Sequence, residues 1–324
     1  SCVINATSME NNSETKEPPG RQGRLMLWYG QLTTRRTLLL RGFAFSSIPA
    51  LWLTLLLVAP TLVLAVVAFA QRSALGGDID WTFSLRNFWS LLGYSSFGWS
   101  SAMLRIIGMS IFMAAVTTIL CLLLAYPLAF FIATRRQGTR YLLLALIMVP
   151  LCTNLVIRTY GWQLLLMNQL PIAKLAVWLG LIGEGESLYP GWPAIFVGMV
   201  AGFLPFSVLP IYTNAERLDW SLVEAAQDLY SGRWRLFRHA ILPQTTPGLA
   251  AAVILTFIPA MGTFVVSDIL GLRKFMLIGN KIEQSFITAR DIPSGSMTSM
   301  VLMLCTLVVL MALRRYWTKS EVVG

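Results

Sequence analysis

The sequence predicts an all-α polytopic membrane protein with six transmembrane helices, and three observations carry that reading. Charged residues make up only 12% of the 324-residue chain and its mean hydropathy is +0.66. A soluble domain carries about 25% charged residues, so too little polar surface is present to coat a water-soluble body. Charge-free runs recur at lengths suited to helices crossing a ~30 Å hydrocarbon core, which takes about 20 apolar residues. No stretch shows the ~10-residue alternation of a barrel strand. The same composition excludes intrinsic disorder, which needs few apolar residues and much charge.

The elements follow in chain order. Residues 1–23 are polar and rich in Asn, Glu and Pro, without the continuous apolar region of a signal peptide; residues 1–45 are expected to form a partly disordered cytoplasmic tail. Six long apolar runs, free of charge apart from Asp268 in the fifth, are 48–70, 106–134, 141–157 (reaching 166 across Arg158), 192–215, 246–270 and 292–313. They define a transmembrane domain over 46–315, followed by a cytoplasmic tail over 316–324. A seventh segment, 164–183, holds Asn168, Gln169, Pro171 and Lys174 and reads as interfacial or re-entrant, with a full crossing as the second choice.

Charge orients the spans. With six crossings, the tails and the second–third and fourth–fifth loops share one side and hold sixteen of the 25 Lys and Arg residues. The richer side is the cytoplasmic one, which places both termini inside. Trp81, Trp89, Tyr94 and Trp99 then crowd the first outer loop, and Tyr160, Trp162, Trp178, Tyr189 and Trp192 the second, as boundary aromatics do. The net charge of +10 fits loops facing anionic lipid. No basic tract interleaved with aromatics exists to hold nucleic acid.

Metal and His-based chemistry are excluded by simple counts. The four cysteines, Cys2, Cys121, Cys152 and Cys305, form no C-x-x-C pair, and His239 is the only histidine. No G-x-x-x-x-G-K-[ST] run occurs, so the chain lacks a phosphate-cradling loop and is not expected to hydrolyse ATP by itself.

The fourth–fifth loop, 216–243, carries the strongest signal. Asp219 or Ser221 can cap a short helix. Leu222, Ala225, Ala226 and Leu229 share one helical face, Gly232 can end it, and Pro243 can open the next span. The two alanines leave a shallow surface that another protein can approach closely. A helical linker lying on the membrane satisfies the same pattern.

Glu224-Ala225-Ala226, with Leu242-Pro243 completing a Glu-to-Pro interval of nineteen residues, resembles the EAA loop of ABC importer permeases. Where that family has Gly six residues after the Glu, this chain has Tyr230, and Gly232 lies two residues later. The segments 149–161, 204–212, 259–271, 276–280 and 289–295 are similar to the polyamine (spermidine/putrescine) branch, so the resemblance covers roughly 45–315. It implies a type I ABC importer permease fold, with the loop forming a coupling helix through Glu224, Ala225, Ala226, Asp228 and Gly232. It implies partners as well: a second homologous permease subunit, two copies of a cytoplasmic ATPase that hold ATP and Mg, and a periplasmic polyamine-binding protein. No cofactor is expected on this chain itself.

A path for polycations should offer carboxylates and aromatic faces. Asp268 lies at the outer end of the fifth run, where an intramembrane charge is a functional candidate; an interfacial carboxylate, solvated or paired with Arg273, is the other reading. Tyr160 and Trp162 line the path or belong to the aromatic belt. Glu283 meets the cation or the binding protein, or is simply solvated. Arg158 faces a partner chain, pairs with a carboxylate or snorkels outward. Pro127, Pro150 and Pro259 interrupt spans, as gating kinks or as static irregularities. Other cargoes of the same machine are an opine, an aminophosphonate, thiamine or iron. A membrane enzyme would need clustered polar groups at membrane depth. A secondary transporter would need inverted repeats and ion ligands. Neither pattern is visible.

Overall fold

A computed structural model describes residues 47, 49–73, 79–95, 98–167, 188–229 and 232–321. The expected N-terminal tail, the re-entrant segment beyond 167 and Tyr230 lie outside the described residues. The chain divides into two units, Ser1–Leu62 and Val63–Gly324.

The first unit holds the beginning of α1 (Pro49–Ala68). There the Thr54 and Thr61 hydroxyls donate to the carbonyls of Ala50 and Leu57, which satisfies polar groups inside an apolar helix. The second unit holds the rest. Its first stretch after α1 contains two short antiparallel hairpins, Gln71–Arg72 with Ile79–Asp80 and Tyr94–Ser95 with Gly98–Trp99, around α2 (Arg86–Leu91). Trp81, Trp89 and Tyr94 are exposed there, as boundary aromatics should be.

The body of the unit is formed by α3 (Ala102–Ala133), α6 (Trp192–Glu216) and α9 (Leu242–Gly262). These three pack on one another through small residues: Ala125 and Ala129 from α3 and Ala252 from α9 are fully buried. Small residues let helix backbones approach where lipid removes the usual hydrophobic drive. Gly248 marks the closest approach. A Cβ there would lie 2.6 Å from both the Pro210 carbonyl and Asn214 Nδ2. Buried hydroxyls pair between the same helices, Ser207 with Thr256 at 2.6 Å and Tyr126 with Thr245 at 2.9 Å.

By length and composition, five helices among the described residues can cross a membrane singly, or up to six if a bent pair counts as one span. That pair is the expected third span. Helix α4 (Gln137–Met148) runs into a 3-10 turn (Val149–Cys152) and meets α5 (Leu155–Leu165) at 97°. Pro150 sits in the turn, Thr153 and Asn154 are extended, and the Asn154 side chain accepts from the Val156 N–H at 2.8 Å. The bend is therefore a helix stop followed by an ordinary N-cap.

Among the described residues Arg158 pairs with no carboxylate. Its guanidinium donates to the Pro150 carbonyl at 2.5 Å, and the Thr153 hydroxyl donates to the same oxygen at 2.8 Å. Ending the helix frees that carbonyl, and an unpaired one is costly away from water. The cation closes the bend from within.

The expected fifth span is also divided. It begins earlier than its apolar run suggests, with α8 (Arg233–Leu236) and a π turn (Phe237–Ile241) leading into α9. Leu242 N–H donates to the Phe237 carbonyl across the π turn, and Pro243 has no N–H to give. At the far end α9 stops at Gly262, one turn after Pro259, with Thr263 extended. The run resumes as α10 (Val265–Gly271). The last helix, α12 (Ile292–Glu321), carries its helical backbone past residue 315, through the segment expected as a tail.

Candidate functional site

Two places collect the residues expected to be functional. The first is a cavity of about 160 Å³ lined by Asp268, Arg273, Phe275, Asn280, Glu283 and Gln284, among others. It forms because the chain folds back twice. Helix α10 ends at Leu272, whose left-handed φ of 48° turns the backbone. The chain returns in α11 (Ile278–Glu283), which continues as a second π turn (Gln284–Thr288). Asp268 from α10 and Glu283 from α11 thereby face one space.

Asn280 fixes the geometry. It is 6% exposed, and its Oδ1 accepts from the Ser267 hydroxyl at 2.8 Å and the Leu277 N–H at 3.1 Å. Its Nδ2 donates to the Phe264 carbonyl at 3.3 Å and to Asp268 Oδ1. One amide thus ties α11 to the break between α9 and α10 and orients the carboxylate. Gly279 allows the approach: a Cβ there would stand 2.6 Å from the Gly262 carbonyl. Ile278 N–H donates to the Ser110 hydroxyl on α3 at 2.7 Å, which anchors the fold-back to the core.

Asp268 is paired, as its second reading held. Arg273 Nε lies 3.4 Å from Asp268 Oδ2, and its Nη2 lies 3.9 Å from Glu283 Oε1. The guanidinium spans both acids. Glu283 accordingly belongs to the same cavity as Asp268 rather than to a separate solvated surface. Tyr160 and Trp162 do not join it. Both sit on α5; Tyr160 is 52% exposed, and Trp162 packs against the main core cluster. The sequence reading passed over Asn280 and gave Arg273 only the role of a salt-bridge partner. A lone amide in the apolar stretch Met276–Asn280 was the available signal.

The second place is the loop 216–243. Its helix, α7, spans Trp220–Leu229. Asp219 caps it: Oδ1 accepts from the Ser221 N–H at 3.0 Å and the Ser221 hydroxyl at 2.7 Å. Gln244 at the start of α9 accepts from the Asp219 N–H at 3.0 Å, which holds the two ends of the loop together. Val223 is buried at 2% exposure, while Leu222 is exposed at 56%. Glu224, Ala225 and Asp228 are exposed as well, and Ala226 and Gly232 are half-buried. The helix is anchored through Val223 and leaves Glu224 and Ala225 exposed. Arg140 on α4 reaches Glu216 at 3.0 Å, just where α6 gives way to the loop.

The Ser221 hydroxyl, and after it the backbone N–H, hold the Asp219 carboxyl below its ordinary value of 3.8. A carboxyl depressed on folding stabilises the capped helix above its ordinary pKa. That contribution is lost as pH falls through the lower folded value. At neutral pH the cap is therefore fully formed. Asp219→Ala is expected to speed amide exchange across 220–229, and Asp219→Asn to leave it slow, because Asn caps about as well as Asp. Equal protection in all three proteins would show that the helix does not depend on this cap.

The helical arrangement is that of an ABC importer permease. It superimposes with a TM-score of 0.66 on a chain of a bacterial ABC transporter involved in the import of the acidic polysaccharide alginate, at 16% identity, covering 91% of this chain and 99% of that one. The MetNI methionine ABC transporter gives a TM-score of 0.51 over 66% of this chain and 93% of its own, again at 16% identity. Residues 125–319 match the family described as binding-protein-dependent transport system inner membrane component. The spermidine/putrescine transport system permease protein PotB of Escherichia coli (strain K12) is 36% identical over 273 residues, 84% of this chain and 95% of that one. The protein of the same name from Haemophilus influenzae is 34% identical over 264 residues, 81% and 87% of the two chains. The chain belongs to the family of binding-protein-dependent transport system inner membrane components, and it is a multi-pass inner-membrane protein.

Proposed function

We propose that this chain is the permease subunit of an ATP-driven importer that moves spermidine or putrescine across the bacterial inner membrane. The observation that carries the cargo assignment is the outer cavity, where Asp268 and Glu283 hold a cation between them. The names of the relatives support it. Both termini face the cytoplasm, by the charge bias of the loops. A second permease subunit completes the path, and a periplasmic binding protein delivers cargo to its outer face. Two copies of an ATPase bind ATP and Mg, and α7 docks on one of them. Closure of the ATPases then drives the helices between inward-open and outward-open states.

The test is ATP hydrolysis by the complete complex in liposomes, stimulated by the binding protein with spermidine, putrescine or an anionic solute. Stimulation by the polyamines alone is expected. Stimulation only by another solute, such as thiamine or iron, would keep the importer and reject the cargo. The double variant Asp268→Asn/Glu283→Gln should cut polyamine uptake about tenfold, equivalent to about 1.4 kcal/mol. Unchanged uptake in that variant would remove the cavity from the path.

A further inference from the structure

The cavity already contains a cation of the chain's own. Arg273 faces both carboxylates, yet it is held loosely. Its contacts of 3.4 and 3.9 Å are longer than the 2.7–2.9 Å typical of a charge-assisted hydrogen bond. Its side chain is 70% exposed, whereas those of Asp268 and Glu283 are 17% and 16% exposed. The acids are built into the wall, and the guanidinium reaches in from solvent. The acids are mostly buried and need a cation beside them, so what can exchange is the loosely held guanidinium for another cation. The backbone delivering the arginine is itself unusual. Leu272 and Arg273 have φ of 48° and 57°, a region that side-chain-bearing residues rarely adopt and that recurs where strain serves a site.

The space does not end at the carboxylates. Glu283 is shared with a second, apolar cavity of about 440 Å³ whose walls include Phe264, Ile282, Phe286 and Leu302. Glu283 thus stands between a site for an ammonium and an apolar space with aromatic walls, Phe264 and Phe286, that suits a methylene chain.

We propose that Arg273 is a tethered counter-cation that fills the ammonium subsite of the outer cavity and swings out when cargo enters. It is thereby a specificity-determining residue: with the guanidinium in place the site offers one net negative charge, and with it displaced, two. The proposal rests on the polyamine reading given above. The displaced state matches a cargo with at least two ammonium groups, and a monoamine cannot replace the bridge across both acids.

Equilibrium binding of radiolabelled spermidine, putrescine and a butyl monoamine to the complete complex, without binding protein, tests this. Arg273→Gln is expected to tighten spermidine binding at least about threefold and to admit the monoamine, since one ammonium no longer competes with a tethered rival. Arg273→Lys keeps the competitor and should stay within about twofold of the parent. Adding Asp268→Asn to Arg273→Gln should reverse the gain. Spermidine binding that is unchanged, weakened or undetectable in Arg273→Gln, in a complex that still transports polyamine, overturns the role of Arg273 and leaves the cargo assignment standing. A parent complex that neither binds nor transports any polyamine ends both together. Because Arg273 lies largely in solvent, unchanged thermal midpoints of the variants serve as the check on folding.

Discussion

Replacing Glu224 by arginine should abolish cargo-stimulated ATP hydrolysis and uptake while leaving the permease folded. Glu224 is exposed on α7, and among the described residues it takes part in no ion pair. Its loss therefore removes nothing that the fold uses, and surface changes of this kind usually fall within about 0.5 kcal/mol. At the docking face proposed for α7 a charge reversal acts differently, because a charge set against its like costs several kcal/mol. A drop of tenfold or more in stimulated hydrolysis is the expected result, with the thermal midpoint of the solubilised protein unmoved. Full coupling in Glu224→Arg would show that α7 does not transmit the ATPase stroke.

The opposite signature is expected at Gly248, where stability goes first and function follows. Gly248→Ala puts a methyl carbon 2.6 Å from the Pro210 carbonyl and from Asn214 Nδ2. Asn214 also donates to that carbonyl at 3.0 Å, so neither group can retreat without losing the other. Overpacking of this kind costs about 1–3 kcal/mol, and a leucine exceeds what the α6–α9 contact can absorb. The measurement is the thermal midpoint and the yield of monodisperse protein in detergent, with Gly248→Ala lowered and Gly248→Leu failing to assemble. A stable Gly248→Leu protein would mean that the two helices do not pack as described.

Much of the architecture was legible because a membrane makes length and charge decisive. The runs at 106–134 and 192–215 match α3 and α6 to within a few residues. Pro150 and Pro259 mark two interruptions in the sequence, but not the form they take. The bend at Thr153–Asn154 and the stop at Thr263 lie inside apolar stretches, where hydropathy cannot tell a continuous helix from two. Pro150 with Asn154 was a readable stop-and-cap signal for the first. The second depends on Gly279 and Asn280 arriving from later in the chain, which no local pattern reveals. The same holds for the cavity. Asp268 and Glu283 were each readable as candidates, but their meeting follows from the fold-back between α10 and α11, and their shared contact with Arg273 from a left-handed turn at a leucine and an arginine. The loop at 216–243 was the reverse case: helix, cap and the exposed Glu224 and Ala225 all lay in adjacent residues.

The π turn at Phe237–Ile241 has a bearing on how this loop can change over time. A π turn holds one more residue per hydrogen-bonded ring than an α turn, and each helical residue contributes about 100° of rotation. The segment thus behaves as a single-residue insertion absorbed by the helix. Deleting any one of its five residues would let the backbone close into regular α-helix. Everything N-terminal to it, α8 included, would then keep nearly its present phase around the span, because the wide turn already takes up the extra residue. The phase between the loop and the span thus survives a one-residue deletion inside the π turn, whereas the same deletion in the regular helix of α9 would turn the loop by about 100°.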